Sequence, residues 1–496
     1  MSSQSVRVLN VTHVFPSPSP PHAGAGDDDG DVIKLSFLDT MFVALPPLKR
    51  LFFYDAGVDG DGDGHLPPFP AMVNSLRCSL AATLAAFPPL AGKLTHRASH
   101  DDVVIDCSAG AVSPGVAFVE AEYDGGGVDD MRRLAGDDEH HTEAFKMLVP
   151  EMDVARLPAP LLAVQVTRPV AAAAAAGDGA GIVAVGVSIH HVVGDGQAVW
   201  QFMRAWSTAS REASPPEAMI PVVFDRKAVV RHPRDEEIAR EFVRVFAPAL
   251  PLVDCSLFPE PDVTRQWRKT YQLRPNQIQS LKQHILHAAK QDKLIEPPTT
   301  HVAILSLYWT SLIRAKFMTN NVTDIAGGGD VYFMIPGDLR RRLRPPVAVD
   351  GYFGNCVKPC YLSAPIAALC AGDGMAVAAA AMRDAIIDCL DGGDPLAGVE
   401  RWSEAETRVA RERIAQVSSS HRFMAYGTDF GWGPPRRVEL VSVYRMDVVA
   451  LLAAAPAKFA GGGGGVQVSV ALDRAHMQAF ERHFLRALDT ESDSSS

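Results

Sequence analysis

The residues with the clearest chemical potential are His190, His191 and Asp195, in the stretch 182–196, IVAVGVSIHHVVGDG. Histidine changes charge near neutral pH, so it can take a proton from a hydroxyl and give it back. An aspartate four residues further on can orient an imidazole, as in a triad, or it can hold a turn. HxxxD by itself also fits a strand end with a solvated histidine pair and an Asp-Gly turn. The two readings separate on whether the surrounding chain builds a support for a base.

The nearest support is the run 182–189, apolar and β-branched, with the composition and length of a buried strand. Its end delivers both histidines to a loop. Successive strand side chains point to opposite faces, so His190 faces away from His191, to pack or to make a structural hydrogen bond. Gly194 and Gly196 are read as glycines that permit backbone angles other residues resist. Residues 197–210 follow a helical pattern through Val199, Trp200, Phe202, Met203 and Trp206, so a helix begins directly after the loop and pins it. Residues 160–170 also read as a strand, and 171–181 is a low-complexity Ala/Gly loop. The histidines therefore sit on the second arm of a predicted hairpin.

Composition narrows the function classes. The 496 residues exceed one ordinary core and suggest two to three domains. With 47% hydrophobic and 21% charged residues the chain reads as globular, and its net charge of −11 argues against a dedicated nucleic-acid binder. A locally basic pocket for an anionic ligand stays open. No run reaches the roughly 18 apolar residues of a membrane span, and no basic segment followed by an apolar stretch suggests a secretory signal. Seven scattered cysteines without a CxxC pair fit reduced thiols in the cytoplasm. Cys356 and Cys360 lack nearby partners for zinc, and no GxxxxGK[ST] or strand-borne GxGxxG supports a nucleotide-binding loop.

Further elements alternate along the chain. Ser36 and Asp39 have capping-box spacing, 50–54 has strand composition, and 59–67 is an acidic, turn-rich loop. A helix beginning near 70 buries Leu76, Leu80, Thr83, Leu84 and Phe87, and Pro88 and Pro89 stop it. Residues 208–236 are rich in Pro, Ser and charge and read as a linker, dividing the chain into domains at 1–207 and 237–496. The second half predicts strands at 264–273, 330–336 and 466–472. It predicts helices at 275–291, 300–316, 374–390 and 476–488, and a flexible glycine tract at 461–465. Such alternation in both halves favours a mixed α/β architecture.

A second motif lies some way downstream: Asp429, Phe430, Gly431, Trp432 and Gly433 spell DFGWG. HxxxD followed by DFGWG resembles the plant BAHD acyltransferases, which use acyl-CoA thioesters. LAAFPPLAGKL at 84–94 and the Asp338-x-Arg340-x-Arg342 stretch before Pro345-Pro346 are similar to that family as well. YFGNC at 352–356 resembles the anthocyanin and flavonoid glycoside clade, many of whose members transfer malonyl groups, as do 35–39 and 50–54. The resemblance runs from about residue 35 to residue 488.

That resemblance implies a fold and a mechanism. The fold is α/β, two similar-sized domains of the CoA-dependent, chloramphenicol acetyltransferase-like type with a channel between them. The protein is expected to be a cytoplasmic monomer, with acyl-CoA as co-substrate and a phenolic acceptor. No bound cofactor, metal, nucleic acid or membrane is expected. His191 is the general base, and no acyl-enzyme is needed. Asp195 supports the motif structurally, with Arg340 as its candidate salt-bridge partner, and DFGWG shapes the fold. The arginines at 340, 341, 342 and 344 form a solvated charged loop or meet CoA phosphates. Malonyl transfer to a phenolic or flavonoid glucoside is the leading expectation. Transfer of a hydroxycinnamoyl or other aromatic acyl group to an alcohol or amine is the alternative. A non-catalytic binding relative would be expected to lose the histidine or the Gly-Asp turn, and both are present.

Overall fold

The strand Ile182–Ile189 is buried along its whole length, inside a six-stranded sheet. It pairs antiparallel with Leu162–Pro169 on one side and Leu48–Asp55 on the other. Both neighbours are nearly as buried, so all three read as almost continuous apolar runs. The sheet extends through Val116–Tyr123 to Val6–Val14 on one flank and to Arg437–Leu440 on the other. This computed structural model describes residues 5–17, 31–55, 66–170, 181–213, 222–254, 262–289, 296–318, 328–402, 410–442, 447–455 and 465–489. The acidic loop at 59–65, the Ala/Gly stretch at 171–180 and the glycine tract at 461–464 lie outside the described residues.

The helix Gly196–Glu212 follows the strand and packs on Phe69–Ala86. Trp206 Nε1 donates to the Leu76 carbonyl at 3.2 Å, and Ser75 and Ser210 meet through their hydroxyls at 3.2 Å. Phe69–Ala86 ends where the proline pair predicts, and Leu76, Leu80, Thr83 and Leu84 form its buried stripe. A four-stranded sheet of Val32–Lys34, Asp102–Asp106, Lys93–Arg97 and Ala159–Pro160 completes the β structure around these helices.

The chain forms two compact units, and they do not divide where the sequence suggests. One comprises Met1–Pro259, Leu343–Cys356 and Met424–Tyr444; the other Glu260–Arg342, Val357–Phe423 and Arg445–Ser496. The expected linker at 208–236 instead carries the helix Arg226–Val229 and the start of Asp235–Phe246. Ile238, Ala239, Phe242 and Phe246 give the latter a buried stripe, with Phe242 edge-on to Phe37 at 6.5 Å. The proline and charge of the stretch conceal that stripe. Two pieces of the predicted C-terminal domain, one with YFGNC and one with DFGWG, also belong to the first unit.

In the second unit the strands run Val357–Pro365, Asp330–Asp338, Ile414–Val417, Val448–Ala453, Val466–Asp473 and Gln266–Leu273. Helices Pro275–Ala288, Thr300–Phe317, Gly374–Ile386 and Arg474–Asp489 accompany them. Their shared core includes Trp309, Phe333, Phe480 and Phe484. Thr300–Phe317 is apolar almost all round because it is buried almost all round, and the Thr299 hydroxyl caps it by accepting from the Val302 amide. Among the described residues no helix is long and apolar enough to cross a membrane.

Candidate active site

At the end of Ile182–Ile189 the chain makes one tight turn, His191–Val193. His190 is fully buried, and its Nδ1 accepts from the Val192 amide at 3.3 Å. Burial, with His191 beside it, pushes its pKa down to about 3. His190 is therefore a neutral residue that closes the turn. His191 stacks flat on Phe42, ring centroids 4.0 Å apart and planes within 5°. Burial pushes its pKa down to about 4, while its own carbonyl, the Asp195 charge and the Asn355 amide act against that and Arg50 adds to it. At neutral pH the imidazole is unprotonated, the state a general base requires.

Asp195 is buried and both oxygens serve the main chain. Oδ1 accepts from the Ala198 amide at 3.1 Å, capping Gly196–Glu212, and Oδ2 accepts from the Cys356 amide at 2.9 Å. His191 Nδ1 is buried and makes no hydrogen bond, so Asp195 does not orient the ring through it. Neither glycine of the turn is there for backbone freedom, contrary to the expectation from sequence. Gly194 has φ of 176°, extended backbone open to any residue. It is glycine for room, since a Cβ would lie 2.6 Å from the Ala198 Cβ. Gly196 is the first residue of the helix.

Three residues that sequence reasoning missed as a group surround this turn. Asp39 Oδ2 accepts from the Ser36 amide and hydroxyl at 3.0 and 2.9 Å, the capping box seen in the sequence. The same oxygen accepts from Arg226 Nε at 3.3 Å. Asp39 Oδ1 accepts from Asn355 Nδ2 at 3.0 Å and from the Asn355 amide at 3.3 Å. Asn355 Nδ2 also lies 3.0 Å from the His191 carbonyl and 3.1 Å from that of Val192. Arg226 donates to the carbonyls of Val193 at 3.0 Å and Phe353 at 2.8 Å. Asp39, Arg226 and Asn355 are fully buried, or nearly so, and lie far apart in the chain. The Ser36–Asp39 spacing marked Asp39 and the YFGNC resemblance covered Asn355, but neither linked them to His191, and Arg226 carried no signal.

DFGWG folds around its own aspartate. Asp429 Oδ1 accepts from the amides of Gly431, Trp432 and Gly433 at 2.7, 3.1 and 2.9 Å. Gly431 and Gly433 have φ of 100° and 86°, the left-handed region that favours glycine. Phe430 packs edge-on against Trp206 at 4.8 Å, and its carbonyl accepts from Ser210 at 3.0 Å. Trp432 meets Tyr54 edge-on at 5.3 Å, and Tyr54 donates to the Thr428 carbonyl at 2.8 Å. The turn thus ties the strand Leu48–Asp55 to the helix that Asp195 caps. It presents no acid, base or nucleophile beyond Asp429.

Arg340 is fully buried in the second unit, its Nη1 3.3 Å from Asp338 Oδ1. Arg342 donates to Asp391 at 2.8 Å, whereas Arg341 and Arg344 are exposed.

A neutral histidine at a strand end lies flat on an aromatic ring beside a backbone-capping aspartate, an arrangement suited to base-assisted acyl transfer. The chain belongs to the BAHD acyltransferases: the Transferase family profile matches residues 25–486. Phenolic glucoside malonyltransferase 1 of Bemisia tabaci is 28% identical, covering 97% of both chains. The malonyl-coenzyme:anthocyanin 5-O-glucoside-6'''-O-malonyltransferase of Salvia splendens is 26% identical over 96% of this chain and 94% of its own. The crystal structure of vinorine synthase shares the fold, with a TM-score of 0.67 at 17% identity over 97% of this chain and 98% of that one.

Proposed function

We propose that the protein transfers a malonyl group from malonyl-CoA to a sugar hydroxyl of a phenolic or flavonoid glucoside, with His191 as general base. The acceptor oxygen attacks the thioester carbonyl while the imidazole takes its proton. The tetrahedral intermediate then collapses, the carbon–sulfur bond breaks, and the leaving thiolate takes the proton back from the imidazolium. The products are a malonyl ester and free CoA. No serine or cysteine nucleophile takes part.

One observation carries the base assignment: His191 is neutral at pH 7 and fixed in place by Phe42. Asp195 supports the turn rather than the chemistry. The DFGWG turn holds the helix behind the motif. The malonyl donor and glucoside acceptor are supported by YFGNC and by the names of the two relatives. The free cysteines fit the reducing cytoplasm, where the protein acts as a monomer.

The test is free-thiol release with malonyl-CoA, acetyl-CoA and coumaroyl-CoA in parallel, each with a flavonoid glucoside and with its aglycone. Release with malonyl-CoA and the glucoside, abolished in His191→Ala, is expected. Release with coumaroyl-CoA alone would sink the malonyl donor and leave the base in place. Acceptor-dependent release surviving in His191→Ala would overturn the base.

A further inference from the structure

We propose that Asn355 positions the base: its carboxamide oxygen accepts a hydrogen bond from His191 Nδ1–H and so leaves Nε2 free to take the acceptor proton. The inference rests on His191 being that base.

The hydrogen bonds around the Asn355 amide fix how it points. Nδ2 lies within 3.1 Å of three acceptors: Asp39 Oδ1, the His191 carbonyl and the Val192 carbonyl. A flipped amide would set its oxygen against all three, so the hydrogen-bond network fixes the orientation. Asp39 is itself locked by Ser36 and Arg226, so the amide cannot swing away with its partner.

That leaves one atom of the amide unaccounted for. Asn355 Oδ1 is buried without a hydrogen-bond partner, and so is His191 Nδ1. Buried polar atoms are rarely left unsatisfied, and these two are complementary. They belong to residues already joined, Asn355 Nδ2 donating to the His191 carbonyl at 3.0 Å, which keeps the carboxamide beside the His191 backbone. The amide also lies close enough to favour the protonated ring. Hydrogen bonds of this kind are commonly long in the free enzyme and shorten when substrate seats the ring. The line Arg226–Asp39–Asn355–His191 takes the orienting place that Asp195 leaves vacant by serving the main chain. A neutral amide suits the role, because it fixes the tautomer without adding a charge that would hold the proton on the ring.

The decisive measurement is ¹⁵N NMR of the free protein labelled at histidine, with the His191 signal identified by its loss in His191→Gln. Wild type is expected to show the Nδ1–H tautomer, and Asn355→Ala to lose that preference. In thiol-release assays Asn355→Ala is expected to lower kcat by about 10²-fold or more, with KM for the acyl-CoA little changed. A wild-type Nε2–H tautomer overturns the proposal without any variant, and so does an Asn355→Ala protein that keeps the Nδ1–H tautomer, whatever its kcat, since the His191 carbonyl would then be what holds it. The spectrum needs no substrate, so it decides the point even where no donor–acceptor pair reacts.

Discussion

Burial sets what His191 can do. An ordinary imidazole loses its base form as the pH falls through 6.5, whereas this one holds it to about 4. As the proposed base the group acts when unprotonated, so activity is expected to disappear only as pH drops below the folded value. The expected kcat/KM profile is flat from about pH 8 to about pH 6, with its acid limb centred near 4. Brief assays after dilution from neutral stock keep unfolding out of the measurement. A limb near 6.5 would mean that the ring titrates as if solvated. The same burial explains what was legible at this scale. His191 and Asp195 carry their signal in their own spacing, four residues apart. Phe42 and Asn355 touch the same histidine from distant parts of the chain, and no local pattern links them to it.

At the scale of elements, the histidine turn is held by close approach between a strand end and a helix start. Gly194→Ala tests this directly, because the new methyl would sit 2.6 Å from the Ala198 Cβ. Neither atom can yield without moving the first turn of Gly196–Glu212, which Asp195 holds by its cap. Overpacking of this kind costs about 1–3 kcal/mol. Gly110→Ala is the control, since a Cβ there meets nothing within 4 Å. Urea unfolding is expected to separate the two variants; equal stability would show that the turn has slack. The strand, the helix and the capping box were all readable, because each rests on a local pattern of apolar spacing or cap residues. Why Gly194 is glycine was not readable, because backbone freedom and lack of room leave the same letter in a sequence.

Across the whole molecule, a linear reading of domains fails for the same reason. The first unit takes in Leu343–Cys356 and Met424–Tyr444, returns of the chain that composition does not mark. What the molecule as a whole shows in bulk measurements is a response to acid. His190, His191 and His301 have their pKa values pushed down by burial, to about 3, 4 and 4, from an ordinary 6.5. His190 and His191 lie in the first unit and His301 in the second. Above pH 6.5 they contribute nothing to the pH dependence, since both folded and unfolded chains leave them neutral. Below it the unfolded chain takes up three protons that the native chain refuses, so stability falls with pH. Asp235 works in the other direction: burial raises its carboxyl from 3.8 to about 6, so over that window the native chain holds one proton that the unfolded chain lacks. Three protons less one leave these four groups a difference of about two protons, ~3 kcal/mol lost per pH unit between roughly pH 6 and pH 4, and His421 and His483, also pushed down by burial, act in the same direction. The urea midpoint is therefore expected to hold steady from pH 8 to about 6.5 and then fall. His190→Asn keeps a side-chain acceptor near the Val192 amide and is expected to make that fall shallower by one proton's worth. A midpoint that stays level down to pH 5, or an unchanged slope in His190→Asn, would show that these histidines are protonated within the native fold.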